Sequence, residues 1–196
     1  MKKLNKMLIY AVVAILVVLA IVVVVSSITA KRPTKAIDNF TNALVKGDFA
    51  KAKEYTADQT FDIFGIDQTA EDIDMIKLYY KNIDVKVNKV TKSKDSAVVN
   101  IEVSNKDLGK VLSMYMVRAQ ELALQRVTNS SVTEKMEKEL EEYFKSLFEG
   151  DTVQTITNSV DVVLVKQDGK WKIVVDNNLR DVLLPGLYSI ANLFTA

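Results

Sequence analysis

The sequence predicts an α+β domain carried behind one transmembrane helix, and three observations support that expectation. The chain opens with a long uncharged apolar run. Apolar residues then recur at helical spacing through 33–80 and 106–148. Between and after these stretches they alternate with period two, at 83–103 and 153–175, as two hairpins of an antiparallel sheet.

Residues Met7 to Ala30 contain no charge, Gly or Pro, and Leu8–Val25 is eighteen residues with only Tyr10 polar. At 1.5 Å per residue the stretch from Met7 to Ala30 covers roughly 36 Å, enough to span a hydrocarbon core of about 30 Å with some tilt. A cleaved secretory signal is the alternative, with cleavage after Ser27. The run is long for that, and Ile28-Thr29-Ala30 places a bulky residue at the first small position of a cleavage site. The expected organisation is a cytoplasmic tail at 1–6, an anchor in the lipid bilayer at 7–30, and an outward domain at 31–196. Charge alone does not orient it. Lys2, Lys3 and Lys6 on one side are nearly balanced by Lys31, Arg32 and Lys35 on the other. The basic-then-apolar order of a secretion signal favours a cytoplasmic N-terminus and a plasma-membrane, single-pass protein.

After the anchor, Pro33 suits a first helical turn, Ala36, Ile37, Phe40, Ala43 and Leu44 form one face, and Gly47 reads as the cap. Phe49, Ala52 and Tyr55 continue into a short second helix, and 60–66 is an apolar connector. Thr69 starts a third helix whose buried face is Ile73, Ile76, Tyr79 and Tyr80. Ile83, Val85 and Val87 alternate with polar residues, Lys92–Asp95 is a turn, and Ala97–Val103 returns. Two helices follow, Lys106–Val127 and Val132–Phe148, the second with Glu134–Lys138 and Glu141–Lys145 as supporting pairs. The first carries Leu108, Val111, Leu112, Tyr115, Ala119, Leu122 and Ala123 on one face. Val153–Lys166 is a long strand, Asp168-Gly169 turns the chain, and Trp171–Val175 closes the sheet. The apolar segment Val182–Phe194, broken at Pro185-Gly186, ends the chain.

Composition removes whole classes of function. There is no Cys and no His, which excludes disulfides, thiolate nucleophiles, lipid attachment through Cys, and the commonest general base and metal ligand. Beyond the anchor stand 23 basic and 25 acidic residues, a net charge of −2, which argues against nucleic acid as a partner. The acidic group Asp62, Asp67, Glu71, Asp72 and Asp74 lacks the spacing of a calcium loop. No metal and no cofactor is expected.

The stretch Ala36-Ile37-Asp38-Asn39-Phe40 through Leu44-Val45-Lys46-Gly47-Asp48-Phe49, followed much later by Asp168-Gly169-Lys170-Trp171-Lys172-Ile173, resembles the nuclear-transport-factor-2-like (cystatin-like) superfamily. The resemblance covers roughly 33–181. It implies a curved antiparallel sheet wrapped on N-terminal helices into a cone, with 106–148 as an inserted helical pair. Members that look most similar are membrane-anchored or lipoprotein-type extracytoplasmic proteins of Gram-positive bacteria. The missing lipidation Cys departs from the latter and leaves anchoring to 7–30. These motifs speak to architecture and carry no catalytic residue.

Several side chains are candidates for function. Trp171, Tyr79 and Asn158 are the candidate wall of a small-ligand pocket in the cone. Asn158 shares its phase with Ile156, Val160, Val162 and Leu164, so an inward amide is expected. Burial in a core is the favoured account of Trp171, and a satisfied buried amide or a strand bulge that of Asn158. Tyr79, Tyr80 and Asp161 are the residues from which an acid–base site would have to be built. Lys86, Lys89, Lys92 and Lys94 read as a solvated hairpin edge, with an anionic polymer or lipid headgroup as the alternative. Helix 106–127 has a second apolar group, Met114, Val117 and Leu124, away from its main stripe. With the acidic residues Glu137, Glu141 and Glu142 as a rim, it is the candidate surface for a protein partner or for a second copy. The expected function is a non-enzymatic interaction or assembly module of the bacterial cell envelope.

Overall fold

In β2 (Ser96–Lys106), every odd residue from Ala97 to Asn105 is buried and the even ones are exposed or half-exposed. That alternation sets the two faces of the sheet. The computed structural model describes residues 32–58, 70–128 and 133–187. The anchor at 7–30, the connector at 60–66, the turn between the paired helices and the chain beyond 187 lie outside them. Among the described residues no helix is long and apolar enough to cross a membrane.

The described residues form an α+β fold with six helices and one four-stranded antiparallel sheet, in the order β1-β2-β3-β4. The helices are α1 (Pro33–Lys46), α2 (Phe49–Lys53), α3 (Ala70–Tyr80), α4 (Leu108–Thr128), α5 (Thr133–Glu149) and α6 (Asn177–Leu183). The other strands are β1 (Asp84–Lys92), β3 (Thr155–Gln167) and β4 (Lys170–Ile173).

The helix signals translate directly into structure. Pro33 opens α1, and its five predicted apolar residues are all buried. Gly47 ends it at φ 66, a conformation that only Gly adopts without strain, and its N–H bonds back to the last turn. Asp48 accepts from the Lys51 N–H and starts α2. Several boundaries differ from expectation, β3 starting at Thr155 rather than Val153 among them, and two of the differences have a visible cause. Lys106 extends β2, because it pairs with Thr155 and its ammonium donates to the carbonyls of Gly150 and Val153 at 2.8 and 2.7 Å. Helix α4 therefore begins two residues later, where the Asp107 carboxylate accepts from the Lys110 N–H. Strand β4 stops at Ile173 rather than Val175; residues 55–57 run beside it, bridging Thr56 to Ile173.

The sheet register decides which side chains meet. On the inner face Ala97, Val99, Ile101 and Val103 stand between β1 and β3 partners and belong to the core, with α1 and α6 the helices that contact β2. The β1–β2 ladder carries a bulge between Val87 and Lys89. An extra residue reverses the phase of a strand. Inward positions in β1 are therefore Val85 and Val87 before the bulge, then Val90 and Lys92 after it, opposite Val99 and Ala97. At the far tip Asp168 and Gly169 take φ 50 and 76, the doubly left-handed conformation of a two-residue hairpin turn.

Candidate functional site

The inserted helices α4 and α5 lie against each other through side chains of both kinds. Tyr115 meets Phe144 edge-on at 5.3 Å, Phe144 meets Phe148 at 5.1 Å, and Phe148 meets Tyr79 of α3 at 6.1 Å. This aromatic chain runs from the inserted pair into the core, ending on Tyr80. On the solvent side Arg118 holds Glu121 of its own helix at 2.8 Å and also grips Glu139 of α5. Sequence periodicity did not single out Arg118; the Glu three residues on is the one local signal it carries.

A surface concavity of about 570 Å³ opens here, lined by Met75, Tyr115, Glu137, Lys138, Leu140, Glu141 and Phe144. The predicted acidic rim residues Glu137 and Glu141 thus border a groove with an aromatic floor. Glu141 pairs with Lys145, and Glu142 lies 3.8 Å from Lys138, so α5 partly neutralises its own acidic strip.

The predicted apolar group on α4 is divided. Met114 is half-buried and packs on the core. Val117 and Leu124 are 54% and 72% exposed. At 100° per residue, Val117 is about 200° and Leu124 about 180° around the helix from Tyr115. They occupy the back of α4, facing away from the groove that Glu137 and Glu141 border. The predicted surface is therefore two surfaces. Ala123, expected on the buried stripe, is exposed, because core contact on that side ends at Leu122.

The pocket candidates are not brought together. Asn158 is inward, half-buried and opposite Val103, as its phase requires. Trp171 is buried opposite Lys166, eight residues further along β3. At about 3.3 Å per residue that separates it from Asn158 by roughly 26 Å. Tyr79 is buried in the core near the Asn158 end, and its hydroxyl donates to the Leu183 carbonyl at 2.9 Å. None of the three lines the α4–α5 groove or a second concavity of about 450 Å³ beside α6, whose wall includes Asn100, Asp161 and Asp181. Nor do Tyr79, Tyr80 and Asp161 form one acid–base site. The tyrosines lie in the core, whereas Asp161 sits on the outer face, accepting from the Asn100 amide at 2.7 Å.

The buried amide that sequence phase overlooked is Asn105, 2% exposed, one inward step beyond Val103. Its Oδ1 accepts from the Lys106 N–H at 2.9 Å, while its Nδ2 makes no hydrogen bond within the described residues. Burial dominates and raises the Tyr79 phenol far above its ordinary range, with the charge of Asp107 adding to the rise. Burial pushes Tyr80 up as well, and its hydroxyl also makes no hydrogen bond among the described residues. Both phenols stay neutral at physiological pH. Among the described residues no three acidic side chains gather as a metal site would require.

No family model matches the chain, and no curated protein matches it. Among solved structures it is similar to an LEH-like epoxide hydrolase of M. tuberculosis, with a TM-score of 0.31 and 12% identity over 83% of this chain and 91% of that one. A likeness of that size bears on neither the activity nor the fold of this chain.

Proposed function

We propose that the chain is a non-enzymatic interaction or assembly module of the bacterial cell envelope, held by residues 7–30 in the plasma membrane with its folded domain outside. The observation that carries this reading is the pair Val117 and Leu124, two large apolar side chains seven residues apart on the solvent side of α4. Isolated exposed apolar residues are ordinary, but two in line on a helix supply a partner-facing stripe. The order of three helices, a hairpin, a helical pair and a second hairpin supports the cystatin-like cone, with α4 and α5 as its insertion. Charge near zero and the absence of His and Cys support binding over catalysis.

The test is site-specific photocrosslinking from positions 117 and 124 of the full chain in intact cells, with position 137 on the groove side as comparison. A discrete adduct from the back of α4 is expected, either a second copy or one envelope protein. Absence of any adduct, with the chain in the membrane and monomeric after solubilisation, would refute the proposal. Protease accessibility of the folded domain in spheroplasts checks the orientation independently.

A further inference from the structure

The two hairpin tips, the turns at 93–95 and 168–169, converge on Trp171. The Lys166 N–H donates to the Asp95 carbonyl at 2.9 Å, tying the β3–β4 hairpin to the β1–β2 turn. The bulge after Val87 puts Lys92 in the inward phase, opposite Ala97, and Lys166 stands in the same phase opposite Trp171. Both ammoniums consequently lie over one indole, Lys166 at 5.3 Å and Lys92 at 5.6 Å from the ring centroid. Lys94 and Lys170 flank them, all four lysines exposed. Among the described residues no carboxylate pairs with any of the four, although Asp95 and Asp168 lie at the same tips.

We infer that Lys92 and Lys166, set over Trp171, form a binding site for a phosphate group. Attraction to the ring accounts for either lysine alone. It does not remove the repulsion between two ammoniums, whose distances to one centroid bound their separation at about 11 Å. The Lys166 ammonium donates one long hydrogen bond to the Lys94 carbonyl, at 3.4 Å. An anion with several acceptor oxygens placed between the two ammoniums relieves their repulsion and takes N–H donors that neither this carbonyl nor the ring uses. The indole, only 4% exposed, is a low-dielectric wall that strengthens the attraction. A phosphate monoester in solution and the phosphodiester of an anionic lipid headgroup share this chemistry. The site is separate from α4 and does not depend on the proposed partner surface.

Trp171 is the only tryptophan of the chain, so its fluorescence reports this site alone. The full chain in neutral detergent is titrated with sodium phosphate against sodium chloride of equal ionic strength. In parallel it is titrated with dihexanoyl phosphatidylglycerol against dihexanoyl phosphatidylcholine. A saturable change with phosphate identifies a free phosphate ligand. A change with phosphatidylglycerol alone identifies a headgroup. In either case Lys166→Gln and Lys92→Gln are each expected to weaken binding at least about tenfold, and Lys166→Arg to retain it. Equal responses to phosphate and chloride and to both lipids, or unchanged binding in both Gln variants, would overturn the inference. The emission maximum without ligand verifies that each variant keeps Trp171 buried.

Discussion

The Tyr79 hydroxyl donates to the Leu183 carbonyl at 2.9 Å, joining α3 to the last turn of α6 across 104 residues of chain. Its neighbour Tyr80 is equally buried, yet its hydroxyl has no hydrogen-bond partner among the described residues. The pair makes a controlled comparison. Tyr79→Phe strands a buried carbonyl and is expected to cost about 1–3 kcal/mol, whereas Tyr80→Phe removes an unpaired polar atom and is expected to be neutral or stabilising. Urea unfolding midpoints of the two variants measure the difference. Equal losses would show that the Leu183 contact contributes nothing specific.

Both tyrosines also set an alkaline limit. Burial raises their folded-state pKa values above the unfolded value of about 10. Between those values the unfolded chain has released protons that the folded chain still holds, so stability falls as pH rises. The contribution is complete below pH about 10 and declines above it. Absorbance at 295 nm should show two tyrosines that ionise only on unfolding, and the Tyr79→Phe/Tyr80→Phe double variant should flatten the decline.

Gly109 and Gly186 allow α4 to touch the chain after α6. A Cβ at Gly109 would stand 2.6 Å from the Gly186 carbonyl oxygen, and Gly186 itself has φ 80. Gly109→Ala is expected to destabilise by about 1–3 kcal/mol, since backbone has to move. Gly150→Ala, whose Cβ would meet nothing nearer than 3.5 Å, serves as the control and should leave the melting temperature almost unchanged.

Val117→Asp and Leu124→Asp alter exposed positions and should leave stability within about 0.5 kcal/mol of the parent. Under the proposed function they abolish the crosslinked adduct. Loss of the adduct together with a large fall in stability would mean instead that the back of α4 is packed within the fold.

Much of this architecture was legible in the residues. Gly47 and Pro33 mark their helix ends because capping depends on atoms within four positions of each other. Phase placed Asn158 inward for the same local reason, and the core face of α1 followed from spacing alone. The candidate site was less legible. Whether Asn158 and Trp171 share a wall depends on how far along β3 the β4 hairpin pairs, and the register puts them roughly 26 Å apart. The apolar and acidic halves of the predicted partner surface separated because α5 packs on only one side of α4.

The sequence by itself determined five of the six helices, the antiparallel hairpins and the exclusion of His and Cys chemistry, since each rests on composition or on contacts between near neighbours; helix α6, at 177–183, was not among the expected elements. Tertiary structure decided what the elements bring together. The bulge after Val87 cannot be read from β1, because only pairing with β2 defines it, yet it turns Lys92 toward Trp171. Asn105 became a buried amide, and Lys92 and Lys166 became neighbours, through pairings between strands distant in the chain. Periodicity describes one strand at a time; a site exists only where several strands have agreed on a register.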